Sequence, residues 1–173
     1  MTPQELTKDF EGFVPTVYKD TVGKKTIGYG FNLDDKTVSS LLPADVKLGK
    51  RPITKDEADS VFNVLYPRAR EDARKFIGAD TFDSLADEAK HTITDMAYNM
   101  GYNKLTGFQR FKKAVVSGDM NIAAEELKNS KWFAQVGRRS QFHYNTIKEL
   151  SGATTQLSWN DIAKLAKEGK PLL

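Results

Sequence analysis

The sequence predicts an α+β fold that is mostly α, with a small N-terminal lobe, a long connecting helix and an all-helical C-terminal lobe. Three patterns in its 173 residues indicate this arrangement. Two β-prone runs enclose a polar, glycine-containing connection before residue 31, which is typical of a β-hairpin. An apolar helical period then occupies residues 58–77, and helical patterns separated by glycines fill the chain from residue 81 onward.

The first element is expected to be a short helix that ends at Glu11. Thr2 suits the N-cap, Pro3 suits the first helical position, and Glu5 completes a capping box. Gly12 tolerates the left-handed backbone that commonly follows a helix. The Glu11 side chain is therefore expected where the chain turns.

The hairpin comes next. Its strands are expected near residues 17–18 and 26–30, joined by the polar stretch 19–25. Gly28 and Gly30 lie inside the second run, and glycine within a strand indicates a close approach of a backbone or a ligand. A simple bend is the alternative explanation.

The connecting helix is expected over residues 54–78, because Thr54 and Glu57 form a capping box ahead of the apolar period. A helix of about 24 residues spans roughly 36 Å. Pro67 lies inside it and is expected to kink or split it. A single domain, residues 1–173, would then consist of an N-terminal lobe of about 1–53, this helix, and a C-terminal lobe of about 79–173.

The remaining helical patterns are shorter, and a polar loop between Pro43 and Pro52 separates the first of them from the connecting helix. Glycine breakers divide most of the others. These patterns lie near residues 36–42, 82–89, 92–100, 108–117, 119–128, 138–150 and 158–167.

The composition excludes several classes of site. There is no cysteine, which removes a cysteine nucleophile, a disulfide framework and a thiolate metal site. His91 and His143 form no His-x-x-x-His pattern, so a zinc site is not expected. We expect the protein to need neither a metal nor a cofactor.

The chain shows no basic N-terminal segment followed by an apolar run, and no apolar stretch approaches the roughly 20 residues that cross a bilayer. We expect synthesis in the cytoplasm without a signal peptide, and no stable membrane insertion. Residues 81–173 carry 13 basic and 10 acidic residues, whereas residues 1–80 carry 13 of each. This bias suits an anionic polymer such as cell wall or nucleic acid, and it is also common on ordinary protein surfaces.

Glu11 and Asp20 are candidates for the two acidic side chains that usually cleave a glycosidic bond. Glu11 lies between Phe10 and Phe13, and a carboxyl group beside apolar rings resists ionisation, as a general acid near neutral pH requires. Asp20 lies in the polar hairpin connection, where it should stay ionised. Two carboxyl groups whose environments differ in this way are the expected signature of an acid and its partner.

The full motif is Glu11-Gly12, seven residues, Asp20, five residues, and then a Thr26-Ile27-Gly28-Tyr29-Gly30 run. With this spacing the chain resembles the phage-type lysozymes, the endolysin family of the T-even bacteriophages. The resemblance covers about residues 1–150. Further landmarks of the family occur in the right order at residues 18–21, 53–58, 83–85, 96–101, 107–108 and 130–132.

The resemblance implies a lysozyme-like two-lobe fold and hydrolysis of the β-1,4 bond between N-acetylmuramic acid and N-acetylglucosamine in peptidoglycan. It also implies inversion at the anomeric carbon. Glu11 would donate the proton, while Asp20 and Thr26 would position the attacking water. Inversion requires a gap of roughly 6.5–9.5 Å between the two carboxyl groups, which leaves room for that water.

The same resemblance suggests further site residues. Asn99 falls where the family has an amide facing the cleft, Tyr98 would stack on a sugar, and Gly30 would let the substrate approach the hairpin. Arg139 falls where a family arginine pairs with the catalytic glutamate. The alternatives are a core aromatic residue for Tyr98 and a surface charge for Arg139.

Three departures from the family stand out, and one is Pro67 in the connecting helix, which would alter the angle between the lobes. Phe31 follows Gly30 where the family often has a histidine, so an ion pair made by that histidine is absent. Residues 151–173 extend past the clear resemblance, and their amphipathic stretch would dock as one more helix or contact wall or membrane. The expected partners are peptidoglycan strands, not nucleic acid, and we expect a monomer. A separate pore-forming protein would release it from the host cytoplasm to the periplasmic wall.

Two other functions stay open. A lytic transglycosylase cleaves the same bond with one glutamate, and it would not need Asp20. A non-catalytic wall-binding module would use the basic second half of the chain, and it has no need of the spaced Glu11, Asp20 and Thr26.

Overall fold

The computed structural model describes residues 1–152 and Lys167. The chain divides into two compact units, Met1–Glu71 and Asp72–Leu173, and the boundary falls inside the longest helix. The mostly helical α+β class that the sequence predicts is confirmed. The lobe limits proposed from the sequence stay a prediction.

The N-terminal unit begins with a helix, a small antiparallel sheet and two short helices. Its sheet has the order β1-β2-β3, so the predicted hairpin gains a third strand of two residues, which is too short to produce a periodic pattern. The elements are α1 (Pro3–Glu11), β1 (Val14–Lys19), β2 (Lys25–Gly28), β3 (Phe31–Asn32), α2 (Lys36–Leu41) and α3 (Ala44–Lys47).

Helix α1 has the caps that the sequence predicts. The Thr2 hydroxyl accepts a hydrogen bond from the Glu5 N–H at 3.1 Å, and the Glu5 carboxylate accepts one from the Thr2 N–H at 3.1 Å. Gly12 follows Glu11 with φ of 72°, a conformation that favours glycine. Helix α1 therefore ends at Glu11, as the sequence predicts.

The core of the N-terminal unit surrounds Tyr29. Its ring makes edge-on contacts with Phe13, Phe31 and Phe62 at centroid distances of 5.4–6.0 Å. Phe31 is 1% exposed, so the position that often holds a histidine in the family is a core position here. Further buried side chains of this core include Ile27, Phe31, Val38, Leu42, Val46, Ile53 and Phe62.

Helix α4 (Lys55–Ile77) starts with the predicted capping box between Thr54 and Glu57. Arg51 reinforces this start with two hydrogen bonds to the Glu57 carboxylate, at 2.8 and 2.9 Å. Because these bonds stabilise the ionised carboxylate, the pKa of Glu57 is lowered to about 2. The helix continues through Pro67, so proline does not split it, and the alternative expectation of a kink stays a prediction.

The described part of the C-terminal unit is helical. It contains the end of α4, then α5 (Ala79–Ser84), α6 (Asp87–Met100), α7 (Tyr102–Leu105), α8 (Gln109–Val116), α9 (Met120–Lys128), α10 (Lys131–Val136) and α11 (Arg138–Ser151). The helix expected near 82–89 is instead broken at Leu85, whose backbone is extended. Asp87 and Glu88 then favour a new helix start, because acidic residues stabilise a helix N-terminus.

The predicted helix at 158–167, together with the amphipathic stretch in 151–173, lies outside the described residues apart from residues 151, 152 and 167. Within the described part of the chain, no helix is both long enough and apolar enough to cross a membrane.

Candidate active site

Glu11 is the last residue of α1, and its carboxyl group lies against the backbone of Gly30. A Cβ atom added to Gly30 would lie 2.8 Å from the carboxyl carbon of Glu11 and still closer to Oε1. Gly30 also has φ of 71°, which side-chain-bearing residues rarely adopt. The close approach expected at this glycine is thus made by Glu11.

Helix α1 is held in this position by Lys8, one turn before Glu11. The Lys8 ammonium forms an ion pair with Asp59 of α4 at 3.0 Å and lies 5.3 Å from the centroid of the Tyr29 ring. The Tyr29 hydroxyl donates to the same Asp59 carboxylate at 3.0 Å. Burial and this bond raise the pKa of Tyr29 to about 12. The cluster ties α1, α4 and the β2–β3 connection together, beside the contact between Glu11 and Gly30.

Asp20 directly follows β1 and organises the turn into β2. Its Oδ1 accepts hydrogen bonds from the backbone N–H groups of Val22 at 3.0 Å and Lys24 at 2.8 Å. A further bond from the Asp20 N–H to the Lys24 carbonyl, at 2.9 Å, closes the turn. An aspartate side chain that bonds the backbone two residues on is typical of such turns. The turn therefore fixes the direction of the carboxylate through one oxygen.

Thr26 is buried in β2, next to this turn. Its hydroxyl donates to the Lys24 carbonyl at 2.9 Å, so its proton is committed to the backbone. A threonine oxygen also has two lone pairs. The oriented hydroxyl is therefore suited to accept a hydrogen bond from a small polar molecule such as water.

Tyr18 belongs to this site, and the sequence reasoning missed it. It pairs with Thr26 across β1 and β2, and residues directly opposite in an antiparallel pair share one face of the sheet. Its pKa is raised by burial and then by the negative charges of Glu11 and Asp20. Both carboxylates therefore oppose ionisation of this phenol. The available signal was its position at the end of the first predicted strand, two residues before Asp20.

Asn99 and Tyr98 lie at the end of α6, in the C-terminal unit. Asn99 is exposed, and its Oδ1 accepts a hydrogen bond from Trp132 Nε1 at 2.8 Å. Tyr98 is half-buried, so it is not part of the fully buried core. Their contact with a sugar chain stays a prediction.

Arg139, at the start of α11, is 5% exposed, so its interpretation as a surface charge is wrong. Its Nε and one terminal nitrogen each donate to the Asp95 carboxylate at 2.7 Å. His143 Nε2 lies 2.6 Å from the same carboxylate. Burial alone would raise the pKa of Asp95, but the charge and hydrogen bonds of Arg139, with His143, hold it below its ordinary value. The pairing of Arg139 with Glu11 stays a prediction.

Asp95 and His143 are 48 residues apart, so no local pattern identified them as partners. His91 lies beside them, with its ring centroid 5.8 Å from that of His143. Burial lowers the pKa of His91 to about 4. Among residues 1–152 and Lys167, no group of three or more histidine, aspartate or glutamate side chains is arranged to hold a metal ion.

The sequence is similar to those of known lysozymes. The sequence model described as "Phage lysozyme" matches residues 8–144 of the chain. "Probable T4-type lysozyme 2" of Dictyostelium discoideum is 29% identical over 163 residues, which cover 84% of this chain and 96% of that protein. "Probable T4-type lysozyme 1" of the same organism is 27% identical over 149 residues, which cover 79% and 88% of the two chains.

Proposed function

The chain belongs to the phage lysozyme family and is a glycoside hydrolase, and we propose which bond it cleaves and how. The substrate is the β-1,4 bond between N-acetylmuramic acid and N-acetylglucosamine in peptidoglycan. The reaction inverts the anomeric carbon, and its reacting groups are Glu11, Asp20 and Thr26.

In the proposed reaction, Glu11 protonates the glycosidic oxygen as the bond to the anomeric carbon breaks. A water molecule attacks that carbon from the opposite face of the sugar. Asp20 accepts the proton of this water as the general base, and the Thr26 hydroxyl oxygen helps to hold it. The mechanism needs roughly 6.5–9.5 Å between the two carboxyl groups.

The observation that carries the proposal is the surrounding of Tyr18. This residue is opposite Thr26 in the sheet. The negative charges of Glu11 and Asp20 both contribute to the raised pKa of its phenol. These two observations support the assignment of Glu11, Asp20 and Thr26 to one site. Gly30 has no side chain to displace the Glu11 carboxyl group, which lies against its backbone.

The side chains of the C-terminal unit complete the proposal. Tyr98 stacks on a sugar ring, and Asn99 hydrogen-bonds a sugar substituent. Arg139 pairs with Glu11 and orients its carboxyl group. Support for Asn99 comes from its exposure and from the Trp132 bond, which fixes its carbonyl oxygen and leaves the amide NH2 group to donate.

The test is a wall-lysis assay on the wild type, Glu11→Gln and Asp20→Asn, with analysis of the released glycan. Loss of a general acid or base is expected to slow lysis by about 100- to 10 000-fold in each variant. Proton NMR of the first products should show the inverted anomer. Full activity in Glu11→Gln, or a retained configuration, would overturn the mechanism.

The same assay separates the competing functions. A lytic transglycosylase would keep its activity in Asp20→Asn and release 1,6-anhydro ends. A wall-binding module would leave wall suspensions turbid, and its salt-sensitive binding would survive Glu11→Gln.

The proposed biological role is lysis of the host cell by a monomeric enzyme. The enzyme is made in the host cytoplasm and reaches the periplasmic wall through a separate pore-forming protein. Lysis of intact cells should then require permeabilised membranes, whereas isolated walls should be cleaved directly. Recovery of the enzyme with purified virions would contradict this role.

A further inference from the structure

His143 occupies the centre of a buried network in the C-terminal unit. Its side chain is fully buried on α11, with Nε2 2.6 Å from Asp95 Oδ2 and Nδ1 3.1 Å from the Thr92 hydroxyl. Asp95 and Thr92 both come from α6, so the imidazole bridges the two helices. Both carboxylate oxygens of Asp95 already receive bonds from Arg139. His143 therefore shares Asp95 Oδ2 with the guanidinium.

The partners of the imidazole determine which nitrogen carries a proton. Asp95 is ionised beside Arg139, and an ionised carboxylate can only accept hydrogen bonds. His143 Nε2 must therefore donate to it. A hydroxyl can either donate or accept, so Thr92 satisfies Nδ1 whether or not that nitrogen is protonated. The direction of the bond to Asp95 is thus fixed by its chemistry.

The face of the same imidazole makes a second contact. The rings of Trp132 and His143 are stacked, with centroids 6.2 Å apart and planes at 17°. Trp132 Nε1, in turn, donates to Asn99 Oδ1. An indole N–H can only donate, so it fixes which end of the Asn99 amide faces it.

The geometry assigns His143 the role of a positioning residue that holds Arg139 through Asp95 and Asn99 through Trp132. The inference rests on the proposed roles of Arg139 and Asn99 in the reaction. Charge balance alone does not require the imidazole, because Asp95 and Arg139 already form a bidentate pair. What the imidazole adds is a fixed orientation for the carboxylate on one side and for the indole on the other.

Two substitutions separate the two contacts. His143→Phe keeps a flat ring against Trp132 and removes both ring nitrogens, so it should release Asp95 with Arg139, and the Thr92 hydroxyl, without releasing Trp132. His143→Gln keeps an N–H donor near the position of Nε2 and removes the ring, so it should release only Trp132 and Asn99. Ile147→Val is the matched control, because it removes one methyl group from a buried residue on the same helix, one turn away.

The spectroscopic readout is the ¹H–¹⁵N spectrum of the free enzyme. His143→Phe should move the Arg139 Nε–H signal and leave the Trp132 Nε1–H signal close to its wild-type position. His143→Gln should do the reverse, and Ile147→Val should move neither. If both signals stay in place in both variants, the inference is wrong.

The kinetic readout uses a soluble peptidoglycan oligosaccharide. A misplaced side chain costs up to about 100-fold in rate, so His143→Phe should lower kcat by about 10- to 100-fold with little change in KM. His143→Gln should mainly raise KM, because Asn99 is proposed to bind sugar. Equal effects of both variants and of Ile147→Val on kcat and KM would reduce His143 to a packing residue and overturn the inference.

Two milder variants cover the case in which either substitution prevents folding. Thr92→Val removes the hydroxyl that holds Nδ1 of the imidazole, and it should reproduce the Arg139 effects of His143→Phe. Trp132→Phe removes the N–H donor to Asn99 together with part of the ring stacked on His143, and it should reproduce the rise in KM. Failure of the proposed function is a distinguishable outcome. It would appear as full activity in Glu11→Gln, whereas the NMR signals report the network without reference to catalysis.

Discussion

The contact between Glu11 and Gly30 makes a glycine necessary for two separate reasons. The backbone of Gly30 is left-handed, and the space that a Cβ atom would fill is occupied by the Glu11 carboxyl group. A side chain at this position would strain the backbone and push the proposed acid away from its place. The first effect acts on stability and the second on catalysis, so they can be measured separately.

We predict that Gly30→Ala lowers activity by about 100-fold, because a displacement near 1 Å at a reacting group has effects of that size. The left-handed backbone adds a loss of about 1–2 kcal/mol in the free energy of unfolding. Gly49→Ala is the control, since Gly49 has φ of 73° and nothing within 4 Å of an added Cβ. Wall lysis and urea denaturation measure the two effects. Equal activities of the two variants would contradict the prediction.

The Tyr18 phenol reports the charges of both proposed reacting groups. Negative charges oppose ionisation of a phenol, so Glu11 and Asp20 contribute to its raised pKa. We predict that Glu11→Gln and Asp20→Asn each lower the pKa of Tyr18, while burial keeps it above the ordinary value. Titration of the ¹³Cζ NMR signal measures this change.

Tyr144 serves as the internal reference for that titration. Its pKa is raised mainly by a hydrogen bond to Glu125, in the C-terminal unit. It should therefore titrate identically in the wild type and both variants. If the titration of Tyr18 is also unchanged, the phenol does not lie near both carboxylates.

The candidate site divides into a part that the sequence could predict and a part that it could not. The spacing of Glu11, Asp20 and Thr26 is local, because a helix end and one hairpin define it. Asp95 and His143 are joined only by the packing of α6 on α11, across 48 residues of sequence. Neither helix carries a pattern that distinguishes these two residues from ordinary polar ones.

Among the secondary-structure elements, capping residues were the most reliable sequence signals for where a helix begins. Thr2 and Thr54 each begin a helix because hydroxyl and carboxylate caps act within four residues. Helix α3 was predicted as a loop, because a helix of four residues is too short to show a helical period. The break before α6 was also missed, because apolar residues lie on both sides of it.

Pro67 lies in the interior of α4, where proline destabilises a helix. It lacks the N–H that would bond the Asn63 carbonyl, and its exposed side chain does not belong to the buried core. We predict that Pro67→Ala raises the free energy of unfolding by about 2 kcal/mol, which is the helix cost of proline of about 3 kcal/mol less the roughly 0.4–1 kcal/mol that proline contributes by restricting the unfolded chain. Urea denaturation measures the change.

Asn63→Ala is the matched control for that experiment. Asn63 is exposed on the same helix, one turn earlier, and its replacement changes only helix propensity, by about 0.5 kcal/mol. A gain in Pro67→Ala no larger than in the control would show that the helix already compensates for the missing hydrogen bond.

For the whole molecule, the buried His91 sets a dependence of stability on pH. Its native pKa of about 4 lies below the ordinary value of 6.5, so the unfolded chain binds more protons between these values. Stability should therefore fall as the pH decreases from 7 towards 4. From pH 7 to pH 5 the loss due to His91 is about 2 kcal/mol.

His91→Leu should remove most of this loss, because leucine does not titrate. Urea denaturation of both proteins at pH 7 and pH 5 gives the comparison. Asp95 does not interfere in this range, since its lowered pKa contributes stability that is lost only below the ordinary aspartate pKa. A wild type that is equally stable at both pH values would contradict the predicted burial of a neutral His91.

The boundary between the two compact units lies between Glu71 and Asp72, within the continuous helix α4. Proteases cut most readily at exposed, irregular segments that can enter their active sites in extended form. A peptide bond in the middle of a helix is a poor substrate, because several helical turns must first unwind. Limited proteolysis is therefore not expected to cleave at the boundary between the two units. Expressing the two units separately would require dividing the gene within the coding sequence of α4.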